Sequence, residues 1–142
     1  MTSPYGSDTE AYAANLAKYS DIIKSQCPDC KVIFGGMSGY VKDENDPSAH
    51  YLEEVLVALE GIGDKKYFDW FVVHFPCEAT DYKEMKNSAT VRRNIMERHG
   101  YEDKPILMTE MSTYDGEPAD FPIEFPPQSE SEQAIDICMP FL

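Results

Sequence analysis

Three short apolar runs, each preceded by a stretch with helical periodicity, constrain this chain more than any other feature. The runs are KVIFGG over 31–36, FDWFVVHF over 68–75 and ILMTE over 106–110. Each reads as a buried strand, and the β-branched and aromatic content of the second argues for burial on both faces. Before the first, Tyr12, Leu16, Tyr19 and Ile23 recur at helical spacing behind a Ser7-x-x-Glu10 capping box, which predicts a helix over 9–26. Before the second, Asp46-Pro47 supplies an N-cap and a proline at the first helical position. Leu52, Val55, Leu56 and Leu59 make that helix's apolar stripe, and Gly61 and Gly63 close it. Before the third, a looser helix is expected over 83–99, with Ala89, Ile95, Met96 and His99 inward and Gly100 at its C′ position. After a loop rich in Pro, Asp and Glu over 112–127, a second capping box, Ser129-x-x-Glu132, starts a helix that Pro140 interrupts. Strict alternation of helix and strand calls for a parallel sheet with right-handed crossovers. It fits a barrel segment and an open doubly wound sheet alike.

Length and charge bound the rest. The chain has 142 residues, enough for one domain with its own core, whereas a full barrel of eight strand–helix units takes about 250 residues. Its formal net charge is −14, from 26 acidic and 12 basic residues. Phosphate backbones and anionic lipid surfaces demand clustered Lys and Arg, so neither nucleic acid nor membrane is an expected partner. A neutral ligand such as a sugar is compatible with the acidity, which reads most simply as a solubility feature. No apolar run approaches the roughly 20 residues of a membrane helix, and the first residues lack the basic-then-apolar pattern of a signal peptide.

The four cysteines invite metal or redox chemistry. Cys27-Pro28-Asp29-Cys30 has C-x-x-C spacing, but it follows a helix and precedes a strand, the wrong polarity for a thiol activated at a helix N-terminus. A four-thiolate zinc site usually draws on two close pairs, and Cys77 and Cys138 stand alone. The expectation is therefore no metal and no cofactor, with Cys27 and Cys30 in a turn that can close a local disulfide.

In any parallel α/β architecture, function gathers at the C-terminal ends of the strands. That rule selects Gly35, Gly36, Met37 and Ser38 after the first strand, and His74, Phe75 and Cys77 at the second. At the third it selects Glu110, Met111, Ser112 and Tyr114. Glu110 is the sharpest of these, because a carboxylate at the tip of an apolar strand is desolvated unless something pairs with it. A solvated rim carboxylate is the plain alternative. His74 has the same choice between a site residue and a hydrogen-bonded core histidine. Gly35-Gly36 permits close approach of a ligand or a neighbouring strand, but no G-x-G-x-x-G opens the next helix. Tyr40, Phe75 and Tyr114 are aromatic side chains expected near the same end that could stack on sugar rings.

Taken in order, these segments resemble the C-terminal half of a retaining TIM-barrel glycoside hydrolase, of the class with catalytic Glu residues at the ends of strands four and seven. "CPDCKVIFGGMSG" and "YFDWFVVHFP" look like strands five and six, "GYEDKPILMTEMSTYDG" like strand seven with its Thr-Glu tip, and "SESEQA" like the start of the following helix. The resemblance implies a single partial (β/α)8 barrel domain over 1–142, truncated at both ends, with about three parallel strands (five to seven) and flanking helices. It implies Glu110 as the nucleophile that forms a covalent glycosyl-enzyme, with His74, Phe75, Ser112 and Tyr114 contacting the carbohydrate substrate. The chain departs from the pattern at the acid/base. No Asn-Glu pair stands in a strand context, Glu44-Asn45 is reversed, and Glu10 belongs to a capping box. A chain with one carboxyl group of two is expected to be inactive alone, and its open sheet edges are expected to promote self-association. Two rivals remain at this point: a non-catalytic carbohydrate- or partner-binding barrel segment, and a small redox protein using Cys27 and Cys30.

Overall fold

The computed structural model describes residues 8–75 and 82–111, with the side chains of Tyr82 and Met111 excluded. Within them the order is α1 (Thr9–Gln26), β1 (Ile33–Ser38), α2 (Pro47–Ile62), β2 (Trp70–Phe75), α3 (Tyr82–Arg98) and β3 (Ile106–Met111). The three strands form an open parallel sheet in the order β1-β2-β3. Sequential order with right-handed crossovers puts α2 and α3 on one face of the sheet, and α1 packs beside α2. The chain is thus an α/β protein with helices layered on one side of three parallel strands.

The helices form where the sequence reading put them, but two of their faces differ from it. At α1 the cap is Asp8, whose carboxylate accepts the Ala11 N–H at 2.8 Å, and Ser7 of the expected capping box lies outside the described residues. Its inward face is Ala13, Ala17 and Ser20, small side chains that let the helix backbone approach its neighbours closely. Tyr12 and Leu16 pack at the margin, while Tyr19 and Ile23 turn outward, at 56% and 38% exposed. At α2 the Asp46 carboxylate caps Ser48 N–H at 2.9 Å, and Ala49, Leu52, Val55, Leu56 and Leu59 are buried. Each of the larger ones is worth about 1.5–3 kcal/mol in transfer from water. The helix runs through Gly61 and is capped by Gly63. At α3 the inward residues are Met85, Ser88, Val91, Arg92, Ile95 and Met96, with the His99 side chain only 9% exposed just beyond its end, whereas Ala89 is half-buried. Gly100, at φ +70°, ends this helix in a Schellman turn, with Gly100 N–H on Glu97 O (3.1 Å) and Tyr101 N–H on Met96 O (2.9 Å).

Phe34 is the hub of the core between sheet and helices. Its ring centroid lies 5.3 Å from Tyr12, 5.3 Å from Phe68 and 5.1 Å from Phe71. Phe68 stacks on Tyr101 at 4.4 Å, so the residues before β2 and β3 close the core's lower end. There, too, Asp69 accepts the Val32 N–H at 2.8 Å and pairs with Lys24 at 2.8 Å. Cys27 and Cys30 are joined in a disulfide that closes the turn between α1 and β1. The helix expected after Ser129, and Cys77 and Cys138, lie outside the described residues.

The strand limits shift by a residue or two from the sequence reading, and one shift matters. Gly35 and Gly36, expected to end β1, lie inside it. The register between β1 and β2 slips by one residue across that pair, from Phe34↔Phe71 to Met37↔Val73. The register between β2 and β3 slips as well, from Val73↔Met108 to His74↔Glu110. Both neighbours of β2 therefore carry one extra residue, β1 opposite the stretch from Phe71 to Val73 and β3 between the partners of Val73 and His74.

Candidate functional site

Alternation along β2 decides what its tip presents. Phe71, Val73 and Phe75 face the helices and belong to the core, so His74 lies on the opposite face. The two bulges then bring the neighbouring strands to it. A Cβ built on Gly36 would stand 2.3 Å from both Cε1 and Nε2 of His74, so the imidazole lies directly over the Gly36 backbone. On the other side, the extra residue in β3 sets Thr109 and Glu110 next to the same ring. His74 Nε2 is 3.1 Å from Thr109 Oγ1, and His74 Nδ1 is 3.4 Å from Glu110 Oε2. Bulges beside functional sites commonly re-aim a side chain in this way.

An ionised Glu110 oxygen can only accept, so a proton on Nδ1 of His74 points at it, and Nε2 either accepts from or donates to the Thr109 hydroxyl. The Nδ1–Oε2 separation exceeds the 2.7–2.9 Å typical of a tight charge-assisted bond, so the two groups stand in ion-pair range without a tight bond. The carboxylate is 73% exposed, while the imidazole is only 24% exposed. A fixed, half-buried imidazole next to a free carboxylate can position that carboxylate as a nucleophile or as a base.

The sequence-selected residues separate into three groups. Glu110 and His74 are brought together. Phe75 is not: its ring is 4% exposed and packs in the core, stacked on Tyr40 at 5.2 Å. The strand's two-residue period puts Phe75 on the face opposite His74. Ser112 and Tyr114 lie outside the described residues, as does Cys77. His50 sits exposed in the first turn of α2. His99 lies at the far end of α3, held by Glu53 at 2.9 Å and Glu60 at 2.8 Å. Thr109 was missed, although it adjoins Glu110 in the same strand tip. Arg92 was missed altogether, because an arginine within a polar helix gives no sign of burial.

Among the described residues no hydrogen bond or ion pair joins a second carboxylate to His74 or Glu110. None of them forms a group of three or more His, Cys, Asp and Glu side chains arranged to hold a metal ion. No helix among them is long and apolar enough to cross a membrane. No protein-family model, no curated protein and no solved structure matches the chain.

Proposed function

We propose that this chain carries the nucleophile side of a retaining glycoside hydrolase site, built on a partial (β/α)8 barrel. One observation carries the reading: an exposed carboxylate, Glu110, at the C-terminal end of a parallel strand, in line with an imidazole that orients it. Helices on one side of sequentially ordered parallel strands support the barrel reading, since a doubly wound sheet covers both faces. In this reading Glu110 attacks the anomeric carbon from one side of the sugar ring as the C–O bond to the aglycone breaks, the aglycone oxygen taking a proton from an acid on the opposite face, and water later cleaves the resulting glycosyl ester. His74 holds the carboxylate in its attacking orientation. Ser112 and Tyr114 follow Glu110 in sequence, and in this reading they contact the sugar.

Retention needs a second carboxyl group about 5 Å from the nucleophile, as acid and then base. The sequence lacks the Asn-Glu pair that supplies it in the resembled class, so this chain on its own is expected not to turn over ordinary glycosides. That departure favours a second reading, a carbohydrate-binding segment without catalysis. One experiment separates them. Glycosyl fluorides bearing 2-fluoro substituents depart without help from an acid, so they test the nucleophile alone. Incubation with 2-deoxy-2-fluoroglycosyl fluorides of gluco, manno and galacto configuration, followed by peptide mass mapping, should label Glu110, and Glu110→Gln should abolish the label. Binding of the parent sugars that survives Glu110→Gln, with no label on the native chain, would replace the nucleophile reading with the binding one.

A further inference from the structure

We infer that Arg92 is the positioning residue of the His74–Glu110 site, acting through the loop that follows β1. Arg92 is fully buried on α3 and bonds to no carboxylate among the described residues. Its Nη2 donates to Gly39 O at 2.8 Å, its Nη1 donates to Ser88 Oγ, and its Nε has no partner. Its guanidinium lies 5.9 Å from the Phe75 ring centroid. Burial pushes its pKa down to about 10, and the charge of Asp46 offsets only part of that, so it remains a cation at neutral pH. An unpaired buried cation is costly, and apolar replacements of buried ionic groups are often neutral or stabilising. Stability therefore does not explain this residue.

Its bonding pattern does. Among the described residues its two hydrogen-bond acceptors, Gly39 O and Ser88 Oγ, belong to one short relay toward the site. Gly39 accepts from Arg92 through its carbonyl and donates its own N–H to His74 O at 3.1 Å. Gly39 holds φ +93°, a conformation that side-chain-bearing residues rarely adopt. Ser88 Oγ accepts from Arg92 and from Val41 N–H at 2.9 Å, and Asn87 Nδ2 donates to Lys42 O at 2.7 Å. Between these anchors, Tyr40 stacks on Phe75. One face of α3 thus fixes the β1–α2 loop, and the loop fixes the backbone of the residue whose ring orients Glu110.

The role in catalysis rests on the nucleophile reading, but the coupling can be tested without it. Arg92→Met keeps the bulk and removes the donors. In the folded variant, amide exchange at Gly39 and Val41 should quicken about tenfold. The ring nitrogen resonances of His74 should move, while amides of α1 and of the middle of α2 stay as in the native chain. Native exchange at Gly39 and Val41 with unmoved His74 resonances would overturn the inference. If Arg92→Met does not fold, Ser88→Ala, which removes the shared acceptor, is judged by the same two readouts. A responsive loop without Glu110 labelling leaves the coupling standing and removes the hydrolase reading. Labelling with an unresponsive loop does the reverse.

Discussion

Gly36→Ala tests the site's geometry most sharply. The added methyl would sit 2.3 Å from His74 Nε2 and Cε1, far inside van der Waals contact. Either the backbone of β1 yields or the ring leaves. The backbone is tied into the sheet, whereas the imidazole is already 24% exposed and has room toward solvent, so the ring should swing out. It then loses its hydrogen bond to Thr109, worth about 1 kcal/mol net, and its contact with an exposed Glu110, worth about 0–1 kcal/mol. Replacing glycine by alanine within a strand returns about 0.5–1 kcal/mol. The net loss should be about 1 kcal/mol or less, a few degrees in melting temperature. Urea denaturation followed by circular dichroism measures the stability. Nitrogen-15 NMR of the imidazole measures the ring. The expected result is a small stability change with a large shift in both His74 ring nitrogens, and a sharp drop in Glu110 labelling. A loss above about 3 kcal/mol would mean that the ring cannot leave and that Gly36 is a core packing position. Unchanged His74 resonances in the folded variant would refute the placement of the ring over Gly36.

Three other outcomes are expected. Burial pushes Glu53 upward, but hydrogen bonds from His99 and Arg98 outweigh it and hold its pKa below the ordinary 4.5; hydrogen bonds from Lys24 and Val32 N–H likewise hold Asp69 below 3.8 against the effect of burial. Depressed carboxylates contribute stability that is full above their unfolded values and fades as pH falls through the folded ones, so stability should drop below about pH 4.5, and Glu53→Gln with Asp69→Asn should flatten that drop in acid titrations of the urea midpoint. Reducing the Cys27–Cys30 disulfide, which spans a sequence separation of three, should cost at most about 2 kcal/mol by loop entropy and leave His74 resonances unmoved; a movement there would revive a redox role. Among the described residues β1 and β3 are open sheet edges, so the purified chain should self-associate, and a clean monomer by light scattering at all concentrations would count against edge pairing.

The fold was largely legible in the sequence because its signals are local. Asp46-Pro47 starts α2, Gly100 stops α3, and the period of Leu52, Val55, Leu56 and Leu59 marks one buried face. The inner face of α1 was not legible, since Ala13, Ala17 and Ser20 carry less hydrophobic signal than the Tyr19 and Ile23 that point outward. The site was half legible. Strand tips announce Glu110 and His74, but their meeting depends on two register slips, which are properties of strand pairing and leave no local trace beyond the Gly35-Gly36 pair. Phe75 and His74 share a strand tip in sequence, but adjacent residues there face opposite sides of the sheet, and Phe75 packs in the core. Arg92 was invisible because its partners are a carbonyl and a hydroxyl on segments distant in sequence.

The unusual features of this chain share a location, and that is the strongest argument that the location matters. A three-stranded parallel sheet needs no bulge, yet both strands beside β2 carry one within three residues of the His74 level. A helix packed on such a sheet needs no buried arginine, yet α3 holds one whose bonds lead to the His74 backbone through Gly39. Each departure costs stability: a bulge interrupts the ladder, a strained glycine is entropically expensive to order, and a buried guanidinium with an unpartnered Nε is poorly solvated. If these departures were incidental they would scatter over the fold. They converge instead on one imidazole and the carboxylate beside it, where strain and buried polar groups have a use that core packing does not supply. The converse is measurable. Combining Gly36→Ala, Gly39→Ala and Arg92→Met should disturb His74 far more than it disturbs the core around Phe34, and equal disturbance of both would dissolve the case for a site.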